Sequence, residues 1–103
     1  MTMIPPARLA AAALLLAAPW ALAQDAARSL AAGCANCHGT NGNARGEMRP
    51  LAGVPAERIL ALLADFRSGA QPATVMHQIA KGYSDEQLRL IAGYFAAQAA
   101  AAK

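Results

Sequence analysis

The 103-residue chain has little of what usually holds a small protein together or builds a complex active site. It has only two cysteines and two histidines, 5% of its residues are aromatic, and 15% are charged. The basic residues are scattered with no aromatic platform among them, which argues against nucleic-acid binding. The length allows one small domain and excludes a Rossmann domain, a barrel enzyme or a deep catalytic cleft. So small a core predicts an additional stabilising group at the cysteines: a disulfide, a metal or a large cofactor.

Much of the 56% hydrophobic content lies in the first 23 residues. Residues 1–8 carry one positive charge, an Ala/Leu run follows, and Ala21 and Ala23 are small residues where a signal peptidase would read them. The run is shorter than the ~18 to 20 residues that span a bilayer, although a retained membrane anchor is the alternative. We therefore expect residues 1–23 to be a cleaved signal peptide. Residues 24–103 would then be a periplasmic domain without stable membrane insertion, and loss of Arg8 would lower the formal charge from +3 to +2.

The predicted mature chain begins with a short helix and a long loop. Residues 25–32 have a helical pattern that Gly33 ends, and Asp25 is placed to interact with the helix dipole. Residues 39–53 combine glycine, asparagine and proline, which is the composition of a loop.

The second half of the chain predicts two further helices and a short helical segment. Pro55 suits the first turn of a helix that ends at residues 68–69. Residues 74–81 predict one or two helical turns, and residues 84–87 form a capping box that begins the last helix. The alanine-rich tail, residues 96–103, is expected to fray. No strand-like alternation occurs, and the apolar residues recur at helical spacing: Ile59, Leu60, Leu62, Leu63 and Phe66, then Leu88, Ile91, Ala92 and Phe95.

The motif that carries chemistry is Cys34-Ala35-Asn36-Cys37-His38. Two thiols three positions apart, followed directly by histidine, form the attachment sequence of c-type haem. Both cysteines would add to the haem vinyl groups as thioethers, and the adjacent imidazole would then face the iron. One covalently held porphyrin would also supply the apolar surface that this chain lacks.

These cysteines have three other interpretations. A disulfide is common in oxidising compartments. A thioredoxin-like redox pair needs a neighbouring βαβ pattern, which is absent. A structural zinc site needs four ligands, and the only cysteines and histidines are Cys34, Cys37, His38 and His77, which lack paired spacing.

A haem iron bound to His38 has a second axial position, whose occupant decides between electron transfer and reaction with small molecules. The candidates are Met48, Met76 and His77. Met48 follows His38 by only ten residues, whereas Met76 follows it by 38, enough chain to pass round a porphyrin. Side chains of consecutive helical residues point about 100° apart, so only one of Met76 and His77 can face the iron. Met76 is the favoured ligand.

The motif near the predicted mature N-terminus, the proline loop, the distal methionine and the C-terminal helix together resemble a class I c-type cytochrome. That resemblance implies an all-α fold of three to four short helices around one haem, with Leu30 packing on Ile91 and Tyr94. It places Ala26 where the family usually has a small glycine. It further implies that Met76 is the distal ligand, and that the carbonyl of Pro50 accepts a hydrogen bond from the other ring nitrogen of His38.

A narrower resemblance lies in residues 72–86 and in Ala92-Gly93-Tyr94-Phe95, which are similar to the cytochrome subunits of flavocytochrome c sulfide dehydrogenases. It implies an FAD-containing partner that oxidises sulfide and passes electrons singly to this haem. The chain would then transfer electrons without being catalytic by itself, with the haem edge near Cys34 and Cys37 as the exit. A freestanding carrier between periplasmic redox proteins is the alternative. If Met76 did not coordinate the iron, the chain would instead be a ligand-binding haem protein.

Overall fold

The computed structural model describes the backbone of residues 6–100 and the side chains of residues 19–100. Residues 1–5 of the predicted signal peptide, its side chains up to residue 18, and residues 101–103 of the predicted frayed tail lie outside the described part. Over residues 6–100 the chain forms helices and no strands, which confirms the all-α class. The elements are α1 (Pro6–Ala32), α2 (Ala35–His38), a 3-10 turn (Thr40–Gly42), α3 (Ala56–Ser68), α4 (Met76–Lys81) and α5 (Asp85–Ala96).

Helix α1 is much longer than the helix predicted for residues 25–32. It passes through the predicted cleavage point at Ala23 and contains Pro19. Alanine and leucine dominate this stretch, and both favour the helical conformation. Trp20 and Leu22 are 71% and 70% exposed, so this part of α1 lies outside the core. None of the described helices is both long enough and apolar enough to cross a membrane.

The later helices begin and end close to their sequence signals. Gly69 ends α3 in the left-handed conformation with φ +87°, which glycine adopts without a steric penalty. Helix α4 begins at Met76, two residues after the predicted start. Ser84 caps α5 as predicted: its hydroxyl accepts from the Gln87 N–H at 3.1 Å, and the Gln87 side chain accepts from the Ser84 N–H at 2.9 Å.

Helix α5 lies at the centre of the fold and packs against both α1 and α3. Leu30 and Tyr94 pack against the buried core, which confirms the expected contact between the first and last helices. Ala27 and Ala31, one turn apart on α1, are buried, whereas Ala26 is exposed. The placement of Ala26 at this contact was therefore wrong by one residue. The core consists of Ala31, Ile59, Leu63, Ala80, Leu88, Ile91, Ala92 and Phe95.

Candidate cofactor site

The two cysteines lie on either side of one helical turn that the sequence did not predict. Cys34 precedes α2 and is partly buried, whereas Cys37 lies within α2 and is exposed. Both are free thiols. Burial raises the pKa of the Cys34 thiol, and the nearby Cys37 raises that pKa further. The two sulfur atoms are not joined in a disulfide, so both are available for attachment.

His38 ends α2 and is held by the loop that follows. Its Nδ1–H donates a hydrogen bond to the backbone carbonyl of Arg49 at 2.7 Å. Because Nδ1 carries the proton, Nε2 retains the lone pair that can bind a metal. The imidazole thus has one nitrogen fixed and one available.

The carbonyl predicted for this contact was that of Pro50, which is wrong by one residue. Proline favours extended backbone at the residue before it, which here is Arg49. Consecutive carbonyls of extended backbone point to opposite sides, which explains why only one of the Arg49 and Pro50 carbonyls faces His38. Proline still has a role here, because it restricts the residue that makes the contact.

The loop is anchored at Gly42, a buried residue with φ +80°. The Gly42 carbonyl accepts hydrogen bonds from the N–H groups of Leu51 at 2.8 Å and Ala52 at 3.1 Å. A Cβ atom at Gly42 would lie 2.8 Å from both the Ala52 nitrogen and the Phe95 ring. Only glycine therefore fits here, because both the backbone conformation and the space exclude a side chain.

The three candidates for the second axial position have different surroundings. Met76 is partly buried and packs against the core, whereas Met48 is 44% exposed in the loop. His77 lines a groove of 270 Å³ between the end of α3 and α4, together with Arg67 and Lys81. The neighbouring residues Met76 and His77 therefore point to different environments, as their angular separation on a helix requires.

The donor set and its surroundings fit a haem. Two free thiols, an imidazole with an available nitrogen and a thioether are the groups that hold haem c. Val75 and Ile79, which flank Met76, are exposed, and Met48 is exposed in the loop that contacts His38. Exposed apolar side chains of this size suit a flat apolar ring that covers them. Among residues 19–100, no three His, Cys, Asp or Glu side chains cluster as a zinc site would need.

The Cytochrome c family model matches residues 23–98. The chain belongs to the cytochrome c family. Membership implies a covalently bound haem c, for which this cytochrome has its two cysteines in the C-x-x-C-H motif. The small all-α class I fold expected from the sequence is thereby confirmed.

Curated relatives include proteins of sulfur-compound oxidation. The cytochrome subunit of sulfide dehydrogenase from Chlorobaculum tepidum is 44% identical over 66 residues, 64% of this chain and 60% of the relative. The thiosulfate dehydrogenase electron acceptor of Stutzerimonas stutzeri is 39% identical over 71 residues, 67% of this chain and 33% of the relative. Cytochrome c-552 of Acidithiobacillus ferridurans is 36% identical over 61 residues, 59% of this chain and 26% of the relative. The chain thus spans less than two thirds of the length of each.

Two residues of the site were missed from the sequence. Arg49 contributes only its backbone, and the signal available for it was the proline that follows. Asn41 has φ +55° and accepts a hydrogen bond from the Tyr94 hydroxyl at 2.7 Å. The Asn41-Gly42 pair is a typical turn sequence with positive φ, but nothing in it indicates a contact with the last helix.

Proposed function

We propose that this cytochrome is an exported, periplasmic one-electron carrier that accepts electrons from an FAD-containing partner in sulfide oxidation. The observation that carries the proposal is the 44% identity to a cytochrome subunit of sulfide dehydrogenase, over a segment that includes most of this cytochrome's domain. The relative named as an electron acceptor of thiosulfate dehydrogenase supports the same class of role.

In this proposal Cys34 and Cys37 would hold the haem through two thioethers, and His38 Nε2 and Met76 would ligate its iron. The bound haem supplies a one-electron couple, and methionine as the second ligand raises its potential relative to two histidines. The Arg49 carbonyl holds the His38 ring by its other nitrogen, which increases the basicity of the ligating nitrogen. The packing of Met76 against the core supports its role, since such packing limits the orientations of the side chain.

Electrons would leave or enter beside Cys37. A groove of 660 Å³ next to this residue is lined by small side chains, by Asn36, Asn43 and Thr40, and by Arg45. The predicted mature chain has a formal charge of +2, which two ionised haem propionates would cancel. Strong global charge is therefore not what docks the partner, and apolar contact around the haem edge is the proposed mode.

Export is proposed from the N-terminal sequence, with cleavage after Ala23. The exposure of Trp20 and Leu22 supports it. Because these two side chains lie in solvent, their removal with residues 1–23 would cost the core no contact. The two α1 residues that belong to the described core or pack against it, Leu30 and Ala31, follow the proposed cleavage point.

Purification from the periplasm of a native host tests these points together. We expect a low-spin c-type absorption spectrum, a mature N-terminus at Gln24, and a larger FAD polypeptide that copurifies. Sulfide should reduce the haem only when that flavoprotein is present. A cytochrome that purifies alone and exchanges electrons with several partners would instead support the freestanding carrier. High-spin iron, or rapid carbon monoxide binding after reduction, would contradict Met76 ligation.

A further inference from the structure

Three hydrogen bonds join the last helix and the residues after it to residues 41–53. These residues include the loop that contacts His38. The Tyr94 hydroxyl donates to Oδ1 of Asn41 at 2.7 Å, across 53 positions of sequence. The Gly53 N–H donates to the Phe95 carbonyl at 2.9 Å. The Asn43 side chain donates to the Ala99 carbonyl at 3.3 Å. The first of these joins two side chains, so substitution at either end can remove it without touching the backbone.

Asn41 lies at the centre of the 3-10 turn that follows His38. Its φ of +55° is left-handed, a conformation that asparagine tolerates better than most residues. The next residue, Gly42, also has a positive φ and directs its carbonyl at Leu51 and Ala52. Asn41 and Gly42 belong to the same turn. A hydrogen bond that restrains the Asn41 side chain therefore also restrains the direction of the Gly42 carbonyl.

Leu51 and Ala52 follow Arg49 and Pro50 directly in the chain. Pro50 has little rotational freedom, so anchoring Leu51 and Ala52 at Gly42 determines where the Arg49 carbonyl points. That carbonyl is the partner of His38 Nδ1. A continuous path of contacts thus runs from Tyr94 to the imidazole.

We infer that Tyr94 is a positioning residue for His38, acting through Asn41, Gly42 and the loop that carries the Arg49 carbonyl. The inference rests on the proposed role of His38 as an iron ligand. Tyr94 needs no contact with the haem for this, because it restrains the loop whose carbonyl sets the tautomer and orientation of the ring.

The test is hydrogen exchange measured by NMR on the reduced, haem-loaded protein carrying Tyr94→Phe. This change removes the hydroxyl and keeps the ring that packs edge-on against Phe95. One neutral hydrogen bond contributes enough that its loss should speed local opening by about two- to tenfold. The His38 Nδ1 proton and the amide protons of Leu51 and Ala52 should exchange faster by this factor, and those of α3 should not.

Three further variants make the comparison specific. Tyr83→Phe removes the same hydroxyl from the chain's other tyrosine, which packs on the core outside this path, and should leave the loop protons unchanged. Asn41→Gly keeps the left-handed backbone and removes the acceptor, so it should reproduce Tyr94→Phe. The two changes combined should have no larger effect than either alone. Asn41→Asp keeps an oxygen acceptor and should restore exchange close to that of the wild type.

Two results would overturn the inference. Unchanged exchange of the three loop protons in Tyr94→Phe would show that the hydroxyl restrains nothing, and equal acceleration throughout the protein would show a general stabilising role. Should Tyr94→Phe not accumulate with haem, Asn41→Gly provides the same test. Failure of the proposed function is distinguishable, because a missing flavoprotein partner would appear in the copurification experiment and a failed haem ligation in the absorption spectrum of the unmodified protein, whereas failure of the positioning role would change neither.

Discussion

The imidazole Nδ1 of His38 and the carbonyl oxygen of Arg49 lie 2.7 Å apart, with Pro50 directly after the acceptor. The hydrogen bond depends on a backbone atom, so no side-chain substitution at residue 49 removes it. Its geometry depends instead on the residues that fix the loop. Pro50 restricts the loop through its ring, and Gly42 anchors it through its carbonyl.

Pro50→Ala should lower the free energy of unfolding by about 0.4 to 1 kcal/mol. Proline restricts the unfolded chain, and alanine restores that freedom without removing the Arg49 carbonyl. Denaturant unfolding of the haem-loaded protein measures the difference, with Pro72→Ala in the loop before α4 as the matched change. A larger loss together with an altered His38 signal in the NMR spectrum would show that the Pro50 ring itself holds the carbonyl in place.

Gly42→Ala should be more destabilising than Gly46→Ala, although both residues have a positive φ. Left-handed backbone costs a residue with a side chain roughly 1 to 3 kcal/mol. At Gly46 that cost stands alone, because a Cβ atom there meets nothing within 4 Å. At Gly42 the Cβ atom would also lie 2.8 Å from the Phe95 ring. Denaturant titration of both variants separates the two causes, and equal losses would contradict the packing described at Gly42.

Met76→Ala should open the second axial position of the iron and markedly lower its reduction potential, because the thioether that favours ferrous iron is gone. His77→Ala and Met48→Ala serve as controls and should leave the spectrum low-spin. Absorption spectra, carbon monoxide binding to the reduced protein and redox titration report the result. If the spectrum were unchanged in Met76→Ala and changed in one of the controls, the residue altered in that control would be the ligand.

Asp85→Asn should reduce stability slightly at neutral pH and have a smaller effect in acid. The hydrogen bond from Arg67 at 2.6 Å, the charge of Arg67 and then that of Arg89 lower the pKa of Asp85 below its ordinary 3.8. A lowered folded-state pKa stabilises the protein above the unfolded value, and this contribution is lost as pH falls through the folded value. The difference between variant and wild type should therefore be constant from pH 5 to 8 and shrink below 3.8.

Thermal unfolding at low and high salt checks this prediction. Both side chains of the pair are exposed, so added salt should screen most of the effect. Glu86→Gln, at the next position in the first turn of α5, controls for the general interaction of acidic residues with the helix dipole. A difference that grows in acid would contradict the lowered pKa.

The sequence predicted the features that local chemistry determines. The capping box at Ser84, the end of α3 at Gly69 and the apolar face of α5 each depend on neighbouring residues, and all three are present. The haem motif is equally local, because five consecutive residues define it. The class of fold and the cofactor follow from these signals.

Features that depend on distant contacts were less predictable. The choice between the carbonyls of Arg49 and Pro50 is decided by where Gly42 anchors the loop, and that depends on packing against Phe95. The contact of Tyr94 with Asn41 joins two segments with no shared pattern. The helix turn at α2 is too short for periodicity to reveal it, and α1 continues through the predicted cleavage point because alanine and leucine give no stop signal.

Phe95 is the one large side chain that is fully buried in the described part of the chain. A protein with so little interior would depend on its cofactor for much of its folding free energy. If the haem were held only by reversible binding, stability would vary with the concentration of free haem and decline on dilution. Thioether bonds remove that dependence, because the porphyrin becomes part of the same molecule as the polypeptide. Covalent attachment thus lets a chain of this size stay folded where free haem is absent.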